Sequence, residues 1–338
     1  MKYIRRLLGT TIPSPIERLL VTESGSIIDK FRSNSPIWLV RSETMSSIAN
    51  EMSRKLGPDV LRTLRYAARD EWAMMLSKSI ITWKGIDPAY WRDFDRLWKA
   101  DGHLHASMIT DGDVARYVVE STSLSALASG SFSAALEHAL QNNIRVGVES
   151  QNEGVAFLNV DMMEQSGLDL DPRNLGNTPD IKEPGKALEI DEIRMNKNGG
   201  LTLFNSPMSI VPFRLFSLWE QSSSHLLPHD DRASMIWSEH LANSVAKAFI
   251  DSGEMIMIEN ERSWLEIGKN HLSKWGLGII DSVSTLGNKL RIMLRSDAQP
   301  SIPKGILMAC FQRATAKRIS PVGYISDSGF ELLFDLNE

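Results

Sequence analysis

The stretch from Gly102 to Asp161 recurs near the C-terminus under a shift of 175 residues. Ser107 falls on Ser282, Thr110 on Thr285, Gly112 on Gly287, Arg116 on Arg291 and Ser121 on Ser296. Further on, Gly130 falls on Gly305, Ala134 on Ala309, Ala139 on Ala314, Ile144 on Ile319 and Gly154 on Gly329. Random pairing at ordinary composition gives about three identities over such a span. The ten found therefore point to duplication. A chain of 338 residues is long enough for about two domains, each with its own core. The expected organisation is a first unit over 12–163, a linker over 164–187 and a second unit over 188–338.

Each unit opens on an expected hairpin. Leu19, Leu20 and Val21 lead through Ser24-Gly25 to Ile27 and Ile28. In the second unit Ile190, Ile193 and Met195 lead through Asn198-Gly199 to Leu201 and Leu203. Asn-Gly between apolar runs signals a two-residue turn, because both residues tolerate positive φ. Helices follow. Met45, Ile48, Ala49, Met52 and Leu56 share one helical face, which Gly57 can end before Pro58-Asp59 starts another helix. That next face carries Leu61, Leu64, Ala68, Trp72 and Met75, and Asp230 and Asp231 start its counterpart after Pro228. A third helix is expected from Asp87-Pro88, burying Tyr90, Trp91, Phe94, Leu97 and Trp98. Its counterpart holds Trp264, Gly268, His271, Leu272 and Trp275. Aromatic residues at helical spacing read as core before they read as a cofactor box.

The recurring stretch itself reads as strand, strand, glycine-led helix, strand, strand. Leu290, Ile292 and Leu294 alternate within Lys289–Arg295, and Phe330, Leu332 and Phe334 alternate against Glu331 and Asp335. The helix after Gly130 is expected to bury Phe132, Ala135, Leu136 and Ala139, and its copy Leu307, Cys310, Phe311 and Ala314. Gly154 and Gly329 fit tight turns between the last strands. Gln165 to Lys186, rich in Asp, Asn, Pro and Gly, reads as a linker. The fold class is thus α/β (α+β): two tandem repeats, each a hairpin, helices and an antiparallel ββαββ unit. Two like units in one chain can pack as an intrachain pseudo-dimer.

A net charge of −5 and a pI near 5.9 give no electrostatic footprint for nucleic acid. Cys310 is the single cysteine, so there is neither an intrachain disulfide nor a cysteine-rich zinc site, and a reducing, cytoplasmic setting is the default. The basic start, Met1 to Leu8, lacks the apolar core of a secretory signal and reads as a helical turn packed on the body. No run of 18 apolar residues is present, so no transmembrane segment is expected.

The order of elements resembles the 4-vinyl-reductase-type domain and is similar to the small subunits of the TRAPP vesicle-tethering complex. The residues that carry the resemblance are Trp275-Gly276-Leu277-Gly278, the strand Leu290 to Ser296, Lys304-Gly305-Ile306-Leu307 and Ser328-Gly329-Phe330. The first unit repeats them as Asp101-Gly102, Tyr117 to Ser121, Ser129-Gly130-Ser131-Phe132 and Glu153-Gly154-Val155. The resemblance implies an α/β fold that tends to dimerise. It implies relatives that bind small hydrophobic molecules, some of them in tetrapyrrole metabolism, and trafficking relatives that are scaffolds. The family often carries cysteines around the final hairpin as metal ligands. Here Ser150, Gln151, Asn152 and Glu153 stand there in one unit, and Ser326, Asp327 and Ser328 in the other, so a thiolate–metal role does not carry over.

The chemistry-bearing residues are few. His103 and His105 lie two apart on an expected strand and share a face, with Glu137 and His138 on the neighbouring helix. In the 175 register Leu104 and Met108 form the core face and both histidines point outward; in a 174 register they turn inward. The outward reading is preferred, and no metal site is assigned. His271 sits on the aromatic face with Trp264, and Cys310 reads as a buried, inert thiol. Arg116 and Arg291 are identical between units and suit solvent, an interface or an anionic ligand. No P-loop, dinucleotide fingerprint, His-Glu-x-x-His or Gly-x-Ser-x-Gly element occurs. The candidate ligand-binding residues are therefore His103, His105, His138, Arg116, Arg291, Trp264, His271 and Cys310, with no catalytic residue and no cofactor identified. The expected function is a non-catalytic small hydrophobic-ligand-binding or sensor protein. The alternatives are a scaffold of the vesicle-tethering type with a protein partner, and an enzyme or carrier in tetrapyrrole metabolism.

Overall fold

In the computed structural model of the chain, the described residues are 14–336 apart from 80, 111–114, 153, 163–184, 189, 191, 197–199, 318–320 and 327–328. The N-terminal turn, the Asn198-Gly199 pair and most of the expected linker lie outside them. In chain order, β1 (Leu19–Val21), β2 (Ile27–Asp29) and β3 (Ser35–Arg41) lead to α1 (Ser42–Leu56), α2 (Asp59–Ser77) and α3 (Phe94–Ala100). Next come β4 (His103–Thr110), β5 (Ala115–Ser121), α4 (Ser125–Leu140), β6 (Ile144–Asn152) and β7 (Val155–Met162). β8 (Lys186–Ala187), β9 (Ile193–Met195), β10 (Leu201–Leu203) and β11 (Ser206–Pro212) precede α5 (Phe213–Ser222), α6 (Ala233–Asp251) and α7 (Glu261–Ile267). β12 (Ile279–Leu286), β13 (Lys289–Arg295), α8 (Ser301–Thr315), β14 (Val322–Ser326) and β15 (Gly329–Asp335) come last.

The fold is mixed α/β with antiparallel sheets. A central seven-stranded sheet has the order β8-β1-β2-β3-β11-β10-β9, and two four-stranded sheets have the orders β4-β5-β7-β6 and β12-β13-β15-β14. The first hairpin turns at Gly25, whose φ of +74° is cheap only for glycine. In the second, Met195 faces Leu201 and Asn196 donates to the Gly200 carbonyl, so the turn is wider than two residues. The end of the expected linker adds a strand: β8 pairs with β1.

The middle of the central sheet is the pairing of β3 with β11, where Leu39 faces Ile210. Six consecutive residues of β3, Ser35 to Val40, are buried. One face of the seam, Trp38, Val40 and Val211, packs on the helices. The other, Ile37, Leu39, Met208 and Ile210, packs on the hairpins. A strand buried on both faces loses the period-2 signature, which is why neither β3 nor β11 is legible in the sequence. Helix α1 packs on α6, while α5 packs on α2.

Three expectations need correction. Gly130 and Gly305 do not open their helices; they lie inside α4 and α8. A Cβ at Gly130 would lie 2.1 Å from the Arg65 carbonyl, and one at Gly305 would lie 2.4 Å from the Ala242 carbonyl. These glycines are sites of close helix–helix approach. The Asp87-Pro88 start yields only a 3₁₀ turn over Pro88–Tyr90 before α3, and Tyr90 is 84% exposed rather than buried. His103 and His105 do not share a face, because the β4–β5 ladder shifts register between them. His103 is buried while Leu104 and His105 are exposed, so neither register considered for the strand describes it.

A buried ion cluster ties α5 to the first half. Arg18, Asp29, Arg32, Glu71, Asp101 and Arg214 are each under 9% exposed. Arg32 donates to both Glu71 oxygens at 2.8 and 2.7 Å and to Asp101, and lies 3.4 Å from Asp29. Arg18 lies 3.2 Å from Asp29, and Arg214 reaches Glu71 at 3.3 Å. Trp72 donates its indole N–H to Asp101 at 3.0 Å. Burial works against the Arg32 charge, but Asp101, Glu71 and Asp29 outweigh it and raise its pKa. Three arginines meet three carboxylates, so the cluster carries no net formal charge; removing one partner of such a set costs far more than the set contributes.

Candidate functional site

A cleft opens at the end of the β3–β11 seam, bordered by residues from both faces of the central sheet. Its floor is Trp38 and Val40 of β3 with Met208 of β11. Its walls are Phe249 at the end of α6, Ile306 of α8 and Trp275. Arg41, Thr44, Ser252, Glu254 and His271 supply its polar side chains. The cavity has a volume of about 80 Å³. That is about half the engineered apolar cavity of about 150 Å³ that admits benzene. The cleft as it stands admits a short alkyl or ring-edge fragment and leaves the remainder of a ligand at the open mouth.

Local sequence explains each wall. The chain leaves α6 at Gly253, with φ +76°, and runs on without regular secondary structure from Glu254 to Ile258. Along this stretch Met255 and Met257 are 89% and 77% exposed, while Ile256 and Ile258 pack on the core. The run therefore alternates between solvent and core. α7 starts with a capping box at Asn260 and Ser263 and passes into a π turn over Gly268–Leu272. π turns insert a residue into a helix and often mark functional sites. This one turns His271 toward the cleft, where its ring meets Phe249 edge-on at 5.3 Å. A 3₁₀ turn over Ser273–Trp275 then places Trp275, with Lys274 Nζ 5.3 Å from its ring.

Electrostatics at the mouth are mild. Arg41 lies 3.2 Å from Glu254, with both side chains part-exposed. Burial lowers the His271 pKa, and the Glu254 charge acts against that. His271 is thus a neutral imidazole at neutral pH, able both to donate and to accept. The arrangement suits an apolar group with one polar end: aromatic and aliphatic walls supply contact area, and a small set of convergent polar groups supplies orientation.

The structure scatters the other expected site residues. Buried His103 lies with its ring 4.2 Å from that of Trp98, and its Nδ1 is 3.2 Å from the Ser121 hydroxyl. Burial first, and Arg32 second, pull its pKa down to about 3. A cavity of about 30 Å³ borders it beside Glu71 and Asp101, enough for a water and too small for a ligand. His138 donates from Nε2 to the Ile81 carbonyl at 2.9 Å, and Glu137 holds Arg69. Arg116 pairs with Glu149, and Arg291 pairs with both oxygens of Glu331 at 2.8 Å, each within its own sheet. Trp264 stacks against Phe311 and Phe334 in the core. Cys310 is fully buried, and burial raises its thiol pKa. Among the described residues no three His, Cys, Asp or Glu side chains are grouped as a metal site, and no helix is long and apolar enough to cross a membrane.

Of the expected residues, His271 alone lines the cleft. Trp275 was visible in the aromatic stripe. Trp38, Arg41 and Glu254 were not, because β3 has no alternating pattern and the stretch after α6 has no regular structure to place it. No known family model, no curated protein and no solved structure matches the chain.

Proposed function

We propose that the protein binds a small apolar or amphipathic molecule, without turnover, in the cleft at the end of the β3–β11 seam. The observation that carries this reading is a cavity lined mainly by aromatic and aliphatic side chains, with Arg41, Thr44, Ser252, Glu254 and His271 as its polar members among the described residues. The neutral His271 and the Arg41–Glu254 pair would hold the ligand's polar end.

The cleft also suits a tandem arrangement. In this reading each half is a 4-vinyl-reductase-type unit, and the two pack as an intrachain pseudo-dimer with the β3–β11 pairing as the seam. Several features support it. The two outer sheets share one strand order, α1 and α5 cross to the other half's long helix, and Gly130 and Gly305 make the same approach to a helix carbonyl. The ligand site then belongs to the second half, framed by the first half's β3.

Octanoate and octylamine, titrated separately against the protein while tryptophan emission is followed, test the site through Trp38 and Trp275. Saturable binding of at least one, lost in Ser252→Trp with the far-UV spectrum unchanged, is the expected result. Ser252 is exposed at the mouth, so the indole would block entry without entering the core. Non-saturable quenching, or identical binding by Ser252→Trp, overturns the reading.

A further inference from the structure

A second, larger concavity lies on the first half, away from the cleft. Two adjoining cavities of about 570 and 470 Å³ share Arg62, Arg65 and Val148 and form one groove. One wall is β6. Five consecutive residues of it, from Ile144 to Val148, line the groove. Side chains on a strand alternate between faces, so a cavity lined by five in a row lies along the strand's edge rather than over one face. β6 is the outermost strand of its sheet and pairs with β7 alone among the described residues. Gly147, in the middle of this run, has only the Asn159 carbonyl within 4 Å of where a Cβ would sit, so that face of the strand is open at this position.

The opposite wall is basic. Arg62, Arg65, Tyr66 and Arg69 stand at i, i+3, i+4 and i+7 of α2, and Arg145 of β6 borders the same groove. Glu137 is the one carboxylate lining the groove among the described residues, and it is committed to Arg69 through two 2.9 Å hydrogen bonds. Arg62 lies 3.7 Å from Asp59 at the exposed rim. Arg65 lies over the Tyr66 ring at 5.3 Å. Neither Arg65 nor Arg145 forms an ion pair among the described residues, although Asp161 is the cross-strand neighbour of Arg145. A concentration of arginine on a chain of net charge −5 marks a place where positive charge has a local use.

The fold does not require this charge. Gly305 packs on the Ala242 carbonyl as Gly130 packs on that of Arg65. Stepping from that equivalence, Arg62, Tyr66 and Arg69 correspond to Glu239, Asn243 and Ala246. The helix that does the same packing in the second half carries no basic stripe.

We infer that this groove docks an extended acidic peptide segment of a partner protein, which adds to β6 as a further strand. Main-chain hydrogen bonds to the free edge would supply affinity, and alternate side chains would supply specificity. Residues two apart on a strand repeat at about 6.8 Å. Arg65 and Arg69 are separated by about 6 Å along the helix axis. Carboxylates at alternate peptide positions can therefore reach Arg62, Arg65 and the outer side of Arg69. The remaining positions would turn to the opposite face of the sheet, the side on which Arg145 is exposed. The inference does not depend on the ligand cleft.

The test is fluorescence anisotropy with a labelled eight-residue peptide alternating Glu and Val. It is compared with the same peptide N-methylated at alternate residues, in both phases of the alternation. A single-stranded oligonucleotide of equal charge and vesicles with an anionic headgroup complete the set. The peptide is expected to bind below 1 mM by order of magnitude. One phase of N-methylation and the Arg62→Glu/Arg65→Glu variant should each weaken it at least about tenfold, and Lys247→Glu on α6 should leave it unchanged. Hydrogen exchange should slow at β6 amides on peptide addition. Absence of peptide binding, indifference to both N-methylation patterns, or tighter binding of the oligonucleotide or the vesicles would each overturn the proposal.

Discussion

Removing Arg214 should destabilise the protein in a way that a second substitution, Glu71→Gln, partly repairs. Arg214 is the only member of the buried ion cluster that comes from α5, and it reaches Glu71 at 3.3 Å. Arg214→Met leaves Arg18 and Arg32 to balance Asp29, Glu71 and Asp101, one carboxylate too many in a buried site. Breaking such a set costs about 3–5 kcal/mol. Unfolding entropy near 60 °C is about 2.1 cal/mol/K per residue, or about 0.7 kcal/mol/K for a chain of this length, so the loss corresponds to a Tm lower by about 4–7 °C. Glu71→Gln alone leaves Arg32 short of a charge partner and should cost a similar amount. Together the two changes restore charge balance, with two arginines facing two aspartates. The double variant should therefore lose less than the sum of the single losses, by about 1–3 kcal/mol. Urea unfolding of the four proteins at pH 7 reads this directly. Additivity within about 0.5 kcal/mol would refute the reasoning, because it would mean that Arg214 and Glu71 contribute as independent side chains.

Two further outcomes follow from the same core. His103 has its pKa pulled from 6.5 to about 3, so its neutral form is the one that folding favours; its contribution is whole above pH 6.5 and is lost as pH falls toward 3. Between pH 7 and pH 4 the protein should lose roughly 3 kcal/mol through this group. His103→Phe should lose that much less over the same range in urea titrations; equal losses would exclude His103 as the cause. Gly130→Ala places a methyl 2.1 Å from the Arg65 carbonyl, so it should destabilise by about 2 kcal/mol despite the better helix propensity of alanine. A gain in stability, as at an ordinary mid-helix glycine, would contradict the close packing of α4 on α2.

The candidate site was legible only at one corner. His271 and Trp275 stood out because their helical spacing put them on one face. Trp38 and Arg41 did not, because a strand buried on both sides carries no alternation to read. Arg62, Arg65 and Arg69 were not singled out by the sequence, which distinguished only the apolar face of α2. Opposite them stands β6, the edge strand of its sheet among the described residues, and that placement is a property of the sheet order.

Local physics, carried by short stretches of sequence, determined much of the rest. Gly25 permits a turn of positive φ, Gly57 ends α1, and the alternation of Leu290, Ile292 and Leu294 fixes which face of β13 is buried. Each depends on a residue and its near neighbours. The tertiary structure decided what brings distant residues together: the β3–β11 seam, the register shift that separates His103 from His105, and a cluster drawn from positions 18, 29, 32, 71, 101 and 214. A charged residue in sequence reads as exposed, because leaving water is costly. It becomes a core residue only when the fold delivers its counter-charges, and no local pattern records that delivery.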